Sequence, residues 1–317
     1  MKTFKPEVFQ GNKKRSNYFE GWYFKQVSAD TSQIYSFIPG VSLSGDNSHS
    51  FIQVINGVTG QTQYVEYPID AFHASSDKLE IKVGNSHFNE KGFLLNIEKD
   101  IRIKGEVNFG PLNKYPRTLW SPGIMGWYSY VPFMETKHGV VSMSHTLMGT
   151  FNIDNQDINF NDGKGYIEKD WGRSFPEAWI WLQCNNFTND KTSFMLSIAK
   201  IPWLGQHFIG FLSFLYIDGK LYRFATYNGS KLSKVEKKEN GTSILITNNS
   251  YKLEVEAQQK GTGTLKAPQH GAMDRHIKES VDSEINIKLT DNNDQVIYED
   301  HGIRAGMEVM EGIFNYF

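Results

Sequence analysis

The chain has 317 residues, with 33 lysines and arginines against 35 aspartates and glutamates and a formal net charge of −2. This balance leaves no basic surface for nucleic acid and no lysine cluster for an anionic membrane, which excludes polyanions as partners. The single cysteine, Cys184, excludes an internal disulfide, and the first residues lack the apolar core of a secretory signal. We therefore expect a cytoplasmic protein, with a location peripheral to a membrane as the alternative.

Short apolar runs separated by Asn-Gly, Asp-Gly and Asn-Asp turn signals follow one another along the chain. Many of them alternate with a period of two, as half-buried strands do, and no segment forms a long, capped amphipathic helix. No apolar run reaches the roughly 18–20 residues that a transmembrane helix needs. The pattern predicts an all-β protein with few or short helices. Representative predicted strands are 79–83, 93–98, 101–107, 243–247, 251–256 and 285–289.

The first predicted strand contains the run NYFEGWYFK at 17–25. Because successive side chains of a strand point to opposite faces, Glu20 and Trp22 share one face, and Tyr23 and Lys25 share the other. We predict that Glu20 and Trp22 contact a ligand. The alternative for Glu20 is a role as a cap or as a cross-strand partner.

Residues 110–139 form a predicted irregular segment in which four prolines stand among several tryptophans and tyrosines. This composition is unusually apolar for a loop. Three interpretations stay open: a lid over a pocket, a plug for the open end of a barrel, or a rim that touches a membrane surface transiently. The run IPWLG at 201–205 raises the same question in the second half of the chain.

The sequence GYIEKDWGRSFPEAWIWLQCNN, which begins at Gly165, holds the densest group of acids, aromatics and amides. If its first part is a strand, Tyr166, Glu168 and Asp170 share one face, and Trp171 lies on the other. Carboxylates spaced two residues apart along a strand are about 7 Å apart, so in a dry site the pKa of one of them is raised. An acid of this kind can stay protonated and donate a proton.

The second part of the same sequence predicts another strand. Trp179, Trp181, Gln183 and Asn185 share one face, which combines broad aromatic surfaces with amides, as in a pocket that orients a mainly apolar ligand. The opposite face, which includes Cys184, is aliphatic and suits a barrel core. Ordinary core packing is the alternative for the two tryptophans.

The remaining motifs exclude several kinds of site. The histidines show none of the paired spacings typical of a metal site, and His145, which alternates with apolar residues, is interpreted as an interior histidine. No G-x-S-x-G, P-loop or dinucleotide-binding fingerprint is present. We therefore predict neither a metal nor a cofactor.

The two halves of the chain resemble each other. With an offset of 157 residues, Trp22 falls on Trp179, Gln26 on Gln183, Ser36-Phe37 on Ser193-Phe194, and Phe51-Ile52 on Phe208-Ile209. The repeat predicts two antiparallel units, residues 1–174 and 175–317, each about the size of an eight-stranded lipocalin-like barrel. A ligand pocket would then lie at a barrel mouth or between the units. One large sandwich is the alternative.

Four runs carry a resemblance to a known family: YFEGWYFK at 18–25, the run at 165–185, KAP at 266–268 and AGMEVMEG at 305–312. They resemble the tocopherol cyclase family. The resemblance implies tandem lipocalin-like (calycin) β-barrels, shared with carotenoid hydratases and some lipocalin-like pericyclases, and chemistry on prenyl or polyene substrates. Plant members close a chromanol ring by joining a phenolic oxygen to an alkene of the prenyl tail. This chain has Arg173-Ser174 where a glycine-rich stretch is expected, so the substrate is not carried over.

Ring closure onto an alkene needs a strong acid, a dry apolar cavity and aromatic faces that stabilise a developing cation. Glu168 or Asp170 would supply the acid, and ion pairing with Lys169, Arg173 or Arg304 is the alternative role for both. The predicted substrate-binding residues are Tyr166, Trp171, Trp179, Trp181, Gln183, Asn185, Glu20 and Trp22.

The predicted protein is therefore a cofactor-free cyclase or isomerase whose partner is a lipophilic small molecule. The first alternative is a non-catalytic carrier of a lipophilic ligand, and the second is a structural protein with filled barrels. The sequence leaves the oligomeric state open.

Overall fold

The computed structural model describes residues 2–132, 134–203 and 205–317. Strands dominate this described part, and its helical elements are seven short 3-10 segments. The prediction of an all-β protein with few or short helices is confirmed. The 3-10 segments are Lys2–Phe4, Gly11–Lys13, Gly45–Asn47, Ile69–Ala71, Gly126–Tyr130, Thr226–Asn228 and Glu311–Tyr316.

The first antiparallel sheet has twelve strands. They are β1 (Tyr18–Val27), β2 (Ile34–Leu43), β3 (His49–Asn56), β4 (Thr62–Pro68), β5 (Phe72–Ala74), β6 (Glu80–Val83), β7 (Ser86–Asn89), β8 (Gly92–Glu98), β9 (Arg102–Phe109), β10 (Thr136–Ile153), β11 (Gln156–Asn159) and β12 (Lys164–Gly172). Their order is β4-β3-β2-β1-β12-β10-β9-β8-β7-β6-β5, with β11 paired to β10. Because β6 also contacts β2 and β3, the sheet curls around its own core.

The second antiparallel sheet has ten strands. They are β13 (Trp179–Cys184), β14 (Thr192–Trp203), β15 (Gln206–Ile217), β16 (Lys220–Ala225), β17 (Lys231–Lys238), β18 (Gly241–Thr247), β19 (Tyr251–Gln258), β20 (Gly263–Gln269), β21 (Ala272–Asp291) and β22 (Val296–Val309). Their order is β16-β15-β14-β13-β22-β21-β19-β18-β17, with β20 paired to β21. In both sheets the first strand pairs with the last, β1 with β12 and β13 with β22. The fold is thus a tandem of lipocalin-like barrels, as predicted.

Tight turns follow the turn signals of the sequence. Asp218 and Gly219, between β15 and β16, both have positive φ, at 45° and 90°. Asp154 and Asn155, between β10 and β11, likewise have φ of 48° and 69°. Two successive residues with positive φ match the right-handed twist of hairpin strands, and aspartate, asparagine and glycine tolerate that conformation best.

The chain divides into two compact units. The first contains the chain up to Phe175 together with Thr264–His276, and the second contains Pro176–Gly263 and Ile277–Phe317. Backbone contacts tie the 264–276 segment into the first unit: Phe175 N–H donates to Pro268 O at 3.1 Å, and Ser42 Oγ donates to Gly271 O at 2.7 Å. A part of the second half of the sequence therefore completes the first unit.

Phenylalanine rings fill the interior of the first unit. Phe24 packs against Phe88 and Phe93 with ring centroids 5.1 and 5.8 Å apart, and Phe93 packs against Phe151 at 5.3 Å. All four rings are buried, and each contributes about 1.5–3 kcal/mol relative to an exposed ring. The four rings belong to one hydrophobic core cluster of the first unit.

The core of the second unit includes the aliphatic face predicted for β13. Ile180, Leu182 and Cys184 all belong to it. The thiol of Cys184 is buried and lies 3.4 Å from Ile303 O. Cys184 therefore behaves as a small apolar residue of the core.

The offset of 157 residues does not preserve the faces of the strands, so that detail of the predicted repeat is wrong. Trp22 lies in the core of the first unit, whereas Trp179 lies on the face opposite the core of the second. Gln26 and Gln183 differ in the same way. Because side chains alternate along a strand, an alignment shifted by one residue exchanges the inner and outer faces. The tandem architecture holds even though these matched residues are not equivalent.

Gly165 leaves room for the ring of His145. The two residues are directly opposite each other in the β10–β12 ladder, and a Cβ at Gly165 would lie 2.3 Å from His145 Nε2. We expect Gly165→Ala to lower the free energy of unfolding by about 1–3 kcal/mol, because the buried ring must shift. Urea unfolding measures this effect. Gly123→Ala, where a Cβ would meet nothing within 4 Å, is the control. The explanation fails if removing the ring with His145→Ala does not reduce the cost of Gly165→Ala.

Candidate functional site

β12 separates its side chains between two environments. Ile167 belongs to the hydrophobic core of the first unit. Because side chains alternate along the strand, Tyr166, Glu168 and Asp170 point to the opposite, outer face. The pairing of β12 with β1 supports this orientation, because Glu168 lies directly opposite Tyr23, which is on the outer face of β1. The shared face predicted for the two acids and Tyr166 is therefore present.

Glu168 and Asp170 approach the two nitrogens of one imidazole ring. His138 of β10 lies directly opposite Asp170 in the sheet. Its Nδ1 is 3.0 Å from Asp170 Oδ1, and its Nε2 is 3.6 Å from Glu168 Oε2. The Tyr166 hydroxyl donates to the same Glu168 oxygen at 2.7 Å. Asp170, His138, Glu168 and Tyr166 thus form a continuous series, called the acid–histidine chain below.

The acid–histidine chain runs from partly exposed to buried groups. The Asp170 side chain keeps 24% of its surface exposed, that of Glu168 keeps 5%, and Tyr166 is fully buried. Burial, and next the charge of Glu168, raise the pKa of the Tyr166 hydroxyl well above its ordinary value. Tyr166 therefore keeps its proton and donates it in a hydrogen bond. His138 Nδ1 lies within hydrogen-bond distance of Asp170 Oδ1, at 3.0 Å.

This arrangement is suited to proton transfer. Histidine changes its charge near neutral pH, and His138 lies between one carboxylate that water reaches and one that is nearly buried. At 3.6 Å, Nε2 and Glu168 Oε2 are at ion-pair distance, and the two groups must come closer to form the hydrogen bond through which a proton passes. Within the described part of the chain, ligand atoms of His138, Glu168 and Asp170 also come within 4.8 Å of one another, so these groups could hold a metal ion.

A small cavity of about 50 Å³ lies beside His138. Its lining includes Pro6 from the N-terminal segment, Met125 from the 110–139 segment and Trp171 from β12. This volume accommodates water but is far too small for a prenylated molecule. It offers a route by which water can exchange protons with His138. A larger cavity of about 380 Å³ in the same unit contains none of the predicted site residues.

Lys169, on the inner face of β12, is fully buried and forms an ion pair with Glu20 of β1. The face of the strand that carries Lys169 is thus opposite to the face that carries Glu168. The Lys169 ammonium lies 4.6 and 4.8 Å from the ring centroids of Trp22 and Trp171, as in cation–π contacts. Burial lowers the pKa of Lys169, and the charge of Glu20 acts in the opposite direction.

The N-terminal segment is anchored on this buried pair. Lys169 donates to Pro6 O at 2.8 Å and Val8 O at 2.5 Å, and Glu20 accepts the backbone N–H groups of Gln10 and Gly11, each at 2.9 Å. Glu20 is therefore both a cross-strand partner and a cap, the two roles that the sequence offers as alternatives. Ligand binding by Glu20, Trp22 and Trp171 stays a prediction.

The second predicted group lies on the outer face of β13, in the second unit. Trp179, Trp181 and Gln183 alternate with the aliphatic core residues of that strand and are buried. Trp179 Nε1 donates to Glu308 Oε2 of β22 at 2.6 Å. Gln183 Nε2 donates to Asn185 Oδ1 at 3.4 Å. The structure therefore brings the predicted aromatic and amide groups together and adds an acid, Glu308, that the sequence prediction lacks.

A family model described as tocopherol cyclase-like matches residues 83–311. The chain belongs to the tocopherol cyclase-like family. The matched region contains all four members of the acid–histidine chain and the strand that carries Trp179. The resemblance predicted from the sequence motifs is confirmed.

Two plant relatives are similar in sequence to this tocopherol cyclase-like chain. The probable chloroplastic tocopherol cyclase of Oryza sativa subsp. japonica is 29% identical over 307 residues, which cover 79% of this chain and 65% of that protein. The chloroplastic tocopherol cyclase of Zea mays is 28% identical over 109 residues, which cover 33% of this chain and 23% of that protein. The chain thus spans less than two thirds of the length of either relative.

Two solved structures share the fold. The crystal structure of CghA with Sch210972 matches with a TM-score of 0.57 and 11% identity, covering 92% of this chain and 88% of that one. Kievitone hydratase from Nectria haematococca matches with a TM-score of 0.50 and 8% identity, covering 96% and 94%. At such low identity these similarities establish the architecture alone.

Among the described residues, no helix of this tocopherol cyclase-like protein has the length and apolar character required to cross a membrane.

No local sequence pattern identifies His138 as a site residue, although it is central to the acid–histidine chain. His138 precedes Asp170 by 32 residues, and no local spacing connects the two. The available signal is the alternation of His138 with Val140 in an extended segment. That signal points to Asp170 only after β10 is paired with β12, and local patterning does not determine this pairing.

His145 lies inside the first unit of this tocopherol cyclase-like protein, with Nδ1 3.0 Å from Ser142 Oγ. Burial lowers its pKa from 6.5 to about 3, so the folded protein holds it neutral. The unfolded chain binds the extra proton, and the free energy of unfolding should therefore fall as the pH decreases from 6.5 towards 3. Urea unfolding across this range should show a flatter pH dependence for His145→Leu than for the wild type. Equal slopes would contradict the assignment.

Proposed function

We propose that this tocopherol cyclase-like protein binds a prenylated or polyene molecule and closes a ring in it by protonating an alkene, without a cofactor. The observation that carries the proposal is the acid–histidine chain, in which a nearly buried glutamate is coupled to an imidazole and a tyrosine. The names of the rice and maize relatives, both tocopherol cyclases, support the same class of reaction.

Glu168 is the proposed acid. Its carboxyl proton is transferred to one alkene carbon, where the π electron pair forms the new C–H bond and leaves a carbocation on the other carbon. A hydroxyl oxygen of the same substrate then attacks the cation and forms the C–O bond. The hydroxyl proton leaves to the Glu168 carboxylate, so the acid is regenerated and the reaction is an isomerisation. General acid catalysis of this kind contributes about 10²–10⁴-fold to a rate.

The other members of the chain support Glu168 in different ways. His138 is the proposed proton donor to an ionised Glu168, which requires Nε2 to move closer to Oε2 than the 3.6 Å of this structure. Asp170 acts as a positioning residue, because it holds Nδ1 of the imidazole at 3.0 Å. Tyr166 keeps its own proton and orients the Glu168 carboxyl group through the 2.7 Å hydrogen bond.

The proposed substrate is apolar with a hydroxyl group, in keeping with the aromatic and amide side chains predicted to bind it. Trp179, Trp181 and Gln183, on the outer face of β13 in the second unit, retain that proposed role together with Asn185, which follows the strand. Tryptophan rings offer broad apolar surfaces to such a molecule, and the amides offer hydrogen bonds to its oxygen atoms.

The test is ring closure of a prenylated hydroquinone in D₂O, followed by transfer of the product to H₂O and mass spectrometry. Protonation of the alkene by a solvent-exchanged acid leaves one deuterium bound to carbon, whereas deuterium on oxygen washes out. We expect a cyclised product with one added deuterium, and no product in the absence of protein. Cyclised product without deuterium would overturn the mechanism. Saturable binding with full recovery of unchanged substrate would identify a carrier.

A further inference from the structure

The most exposed apolar side chains of the described part of the chain include two at the tip of a turn. Thr118 and Ser121 close the turn with mutual backbone hydrogen bonds of 2.9 and 3.1 Å. Leu119 and Trp120 occupy its two central positions and are 67% and 82% exposed. Turn tips normally carry glycine, proline, asparagine, aspartate or serine, so a Leu-Trp tip costs free energy in water unless something covers it.

Two further aromatic rings continue this surface. Trp127 and Tyr130 lie in the 3-10 segment Gly126–Tyr130 and are also exposed. The Tyr130 hydroxyl donates to Leu119 O at 2.7 Å, which joins the segment to the turn. Leu119, Trp120, Trp127 and Tyr130 are called the aromatic rim below.

The aromatic rim is held in place by the N-terminal segment. Arg117 donates to Phe4 O at 2.6 Å and pairs with Glu7 at 3.0 Å. Phe4 packs against the ring of Tyr130 with centroids 6.3 Å apart. The rim is therefore presented by a fixed support, so little ordering is needed when it meets a partner.

The chemistry of the rim fits a lipid surface. Tryptophan and tyrosine are the residues enriched where proteins meet the boundary between acyl chains and headgroups, because each has an apolar body and one polar group. The sequence contains no aspartate or glutamate from Val107 to Met134, while Lys114 and Arg117 lie within that stretch. Phospholipid headgroups therefore meet no acidic side chain of this segment. The few cations predict binding driven by apolar insertion and only weakly dependent on anionic lipid.

The segment that carries the rim also reaches the acid–histidine chain. Pro122, Met125 and Ser129 line the small cavity that His138 also lines. Lys137, next to His138 in sequence, donates to Ser129 O at 2.9 Å. The segment that carries the rim therefore packs beside His138 in the first unit.

We propose that the aromatic rim inserts into the surface of a phospholipid bilayer, with Leu119 and Trp120 as the leading side chains. Its use in collecting a membrane-dissolved substrate rests on the proposed function, whereas the insertion itself rests on the rim residues alone. Of the three interpretations of the 110–139 segment, a lid, a plug or a rim that touches a membrane, the proposal selects the rim.

The test is sedimentation of the protein with phosphatidylcholine vesicles, with and without added phosphatidylglycerol. A double variant, Leu119→Ser with Trp120→Ser, should lower partitioning onto both vesicles by about tenfold or more, from the loss of two inserted side chains. Leu94→Ser with Met148→Ser removes two exposed apolar side chains from β8 and β10 and is the matched control, expected to bind as the wild type. In vesicles of brominated phosphatidylcholine, the tryptophan fluorescence of the wild type should be quenched more than that of the double variant, which lacks Trp120.

The outcomes separate lipid insertion from the other possible partners of the rim. Wild-type protein that stays in the supernatant with both vesicles overturns the proposal, as does equal binding by the rim variant. Dimerisation of the wild type without vesicles, abolished in the rim variant, would assign the rim to a second copy of the chain and also overturn it. Because the vesicles contain no substrate, their binding can succeed or fail independently of the ring-closure reaction.

Discussion

Replacing Glu168 by glutamine is expected to reduce the rate of ring closure by about 10²–10⁴-fold, the contribution of a positioned general acid. The amide keeps the size of the side chain and can still accept the 2.7 Å hydrogen bond from Tyr166, but its N–H protons are not acidic enough to protonate an alkene. The measurement is turnover of a prenylated hydroquinone, with binding of the same substrate determined separately. Glu106→Gln, the same chemical change at an exposed position of β9, is the control.

Substitutions of Asp170 and His138, two other members of the acid–histidine chain, should give smaller effects of a different kind. Asp170→Asn leaves Glu168 in place and acts through His138, so we expect a lower rate together with a displaced pH–rate profile rather than loss of turnover. His138→Gln should lower the rate and abolish the part of the pH–rate profile that reflects protonation of the imidazole. Wild-type turnover in Glu168→Gln would eliminate Glu168 as the acid, whatever the other two variants show.

Lys169→Met is expected to lower the free energy of unfolding of the first unit by about 3–5 kcal/mol, the cost of removing one partner of a buried ion pair. Glu20 would stay at 0% exposure without its ammonium partner. The carbonyls of Pro6 and Val8 would lose their donor, so residues 2–13 should also exchange their amide hydrogens faster. Chemical unfolding and hydrogen exchange measure the two consequences.

A second variant separates the charge from the packing of Lys169. Adding Glu20→Gln to Lys169→Met removes the unbalanced buried charge, so the double variant should be more stable than the sum of the single effects predicts. Lys78→Met is the matched control, since Lys78 pairs with Glu80 at 2.6 Å on the surface and should matter far less. Equal losses from Lys169→Met and Lys78→Met would show that the buried pair does not anchor the N-terminal segment.

Properties that repeat along a single strand could be predicted from the sequence. The shared face of Tyr166, Glu168 and Asp170, and the aliphatic face that carries Cys184, both follow from the period of two in an extended chain. The motifs at 165–185 identified the family because they form one contiguous stretch of sequence. The short turn at Asp218-Gly219 could also be predicted, since only a few residue types adopt positive φ readily.

The partners of these faces depend on strand pairing, which the local pattern does not encode. His138 meets Asp170 because β10 pairs with β12, and the register of that pair shifts between Val140 and Ser142 and again before His145. Glu308 reaches Trp179 only because the last strand of the second sheet lies beside the first. The comparison of Trp22 with Trp179 matched residues on opposite faces, because residue identity alone does not report which face is buried.

By itself, the sequence determined the all-β class, the family with the tandem fold that its motifs imply, and the alternation that puts two acids on one face of β12, because each is carried by a contiguous pattern. Only the tertiary structure decided that His138 joins those acids and that Lys169 pairs with Glu20 on the opposite face. It also showed that Leu119 and Trp120 stand exposed at a turn. Each of these facts depends on which strands pair, in which register, and on which side the core is packed.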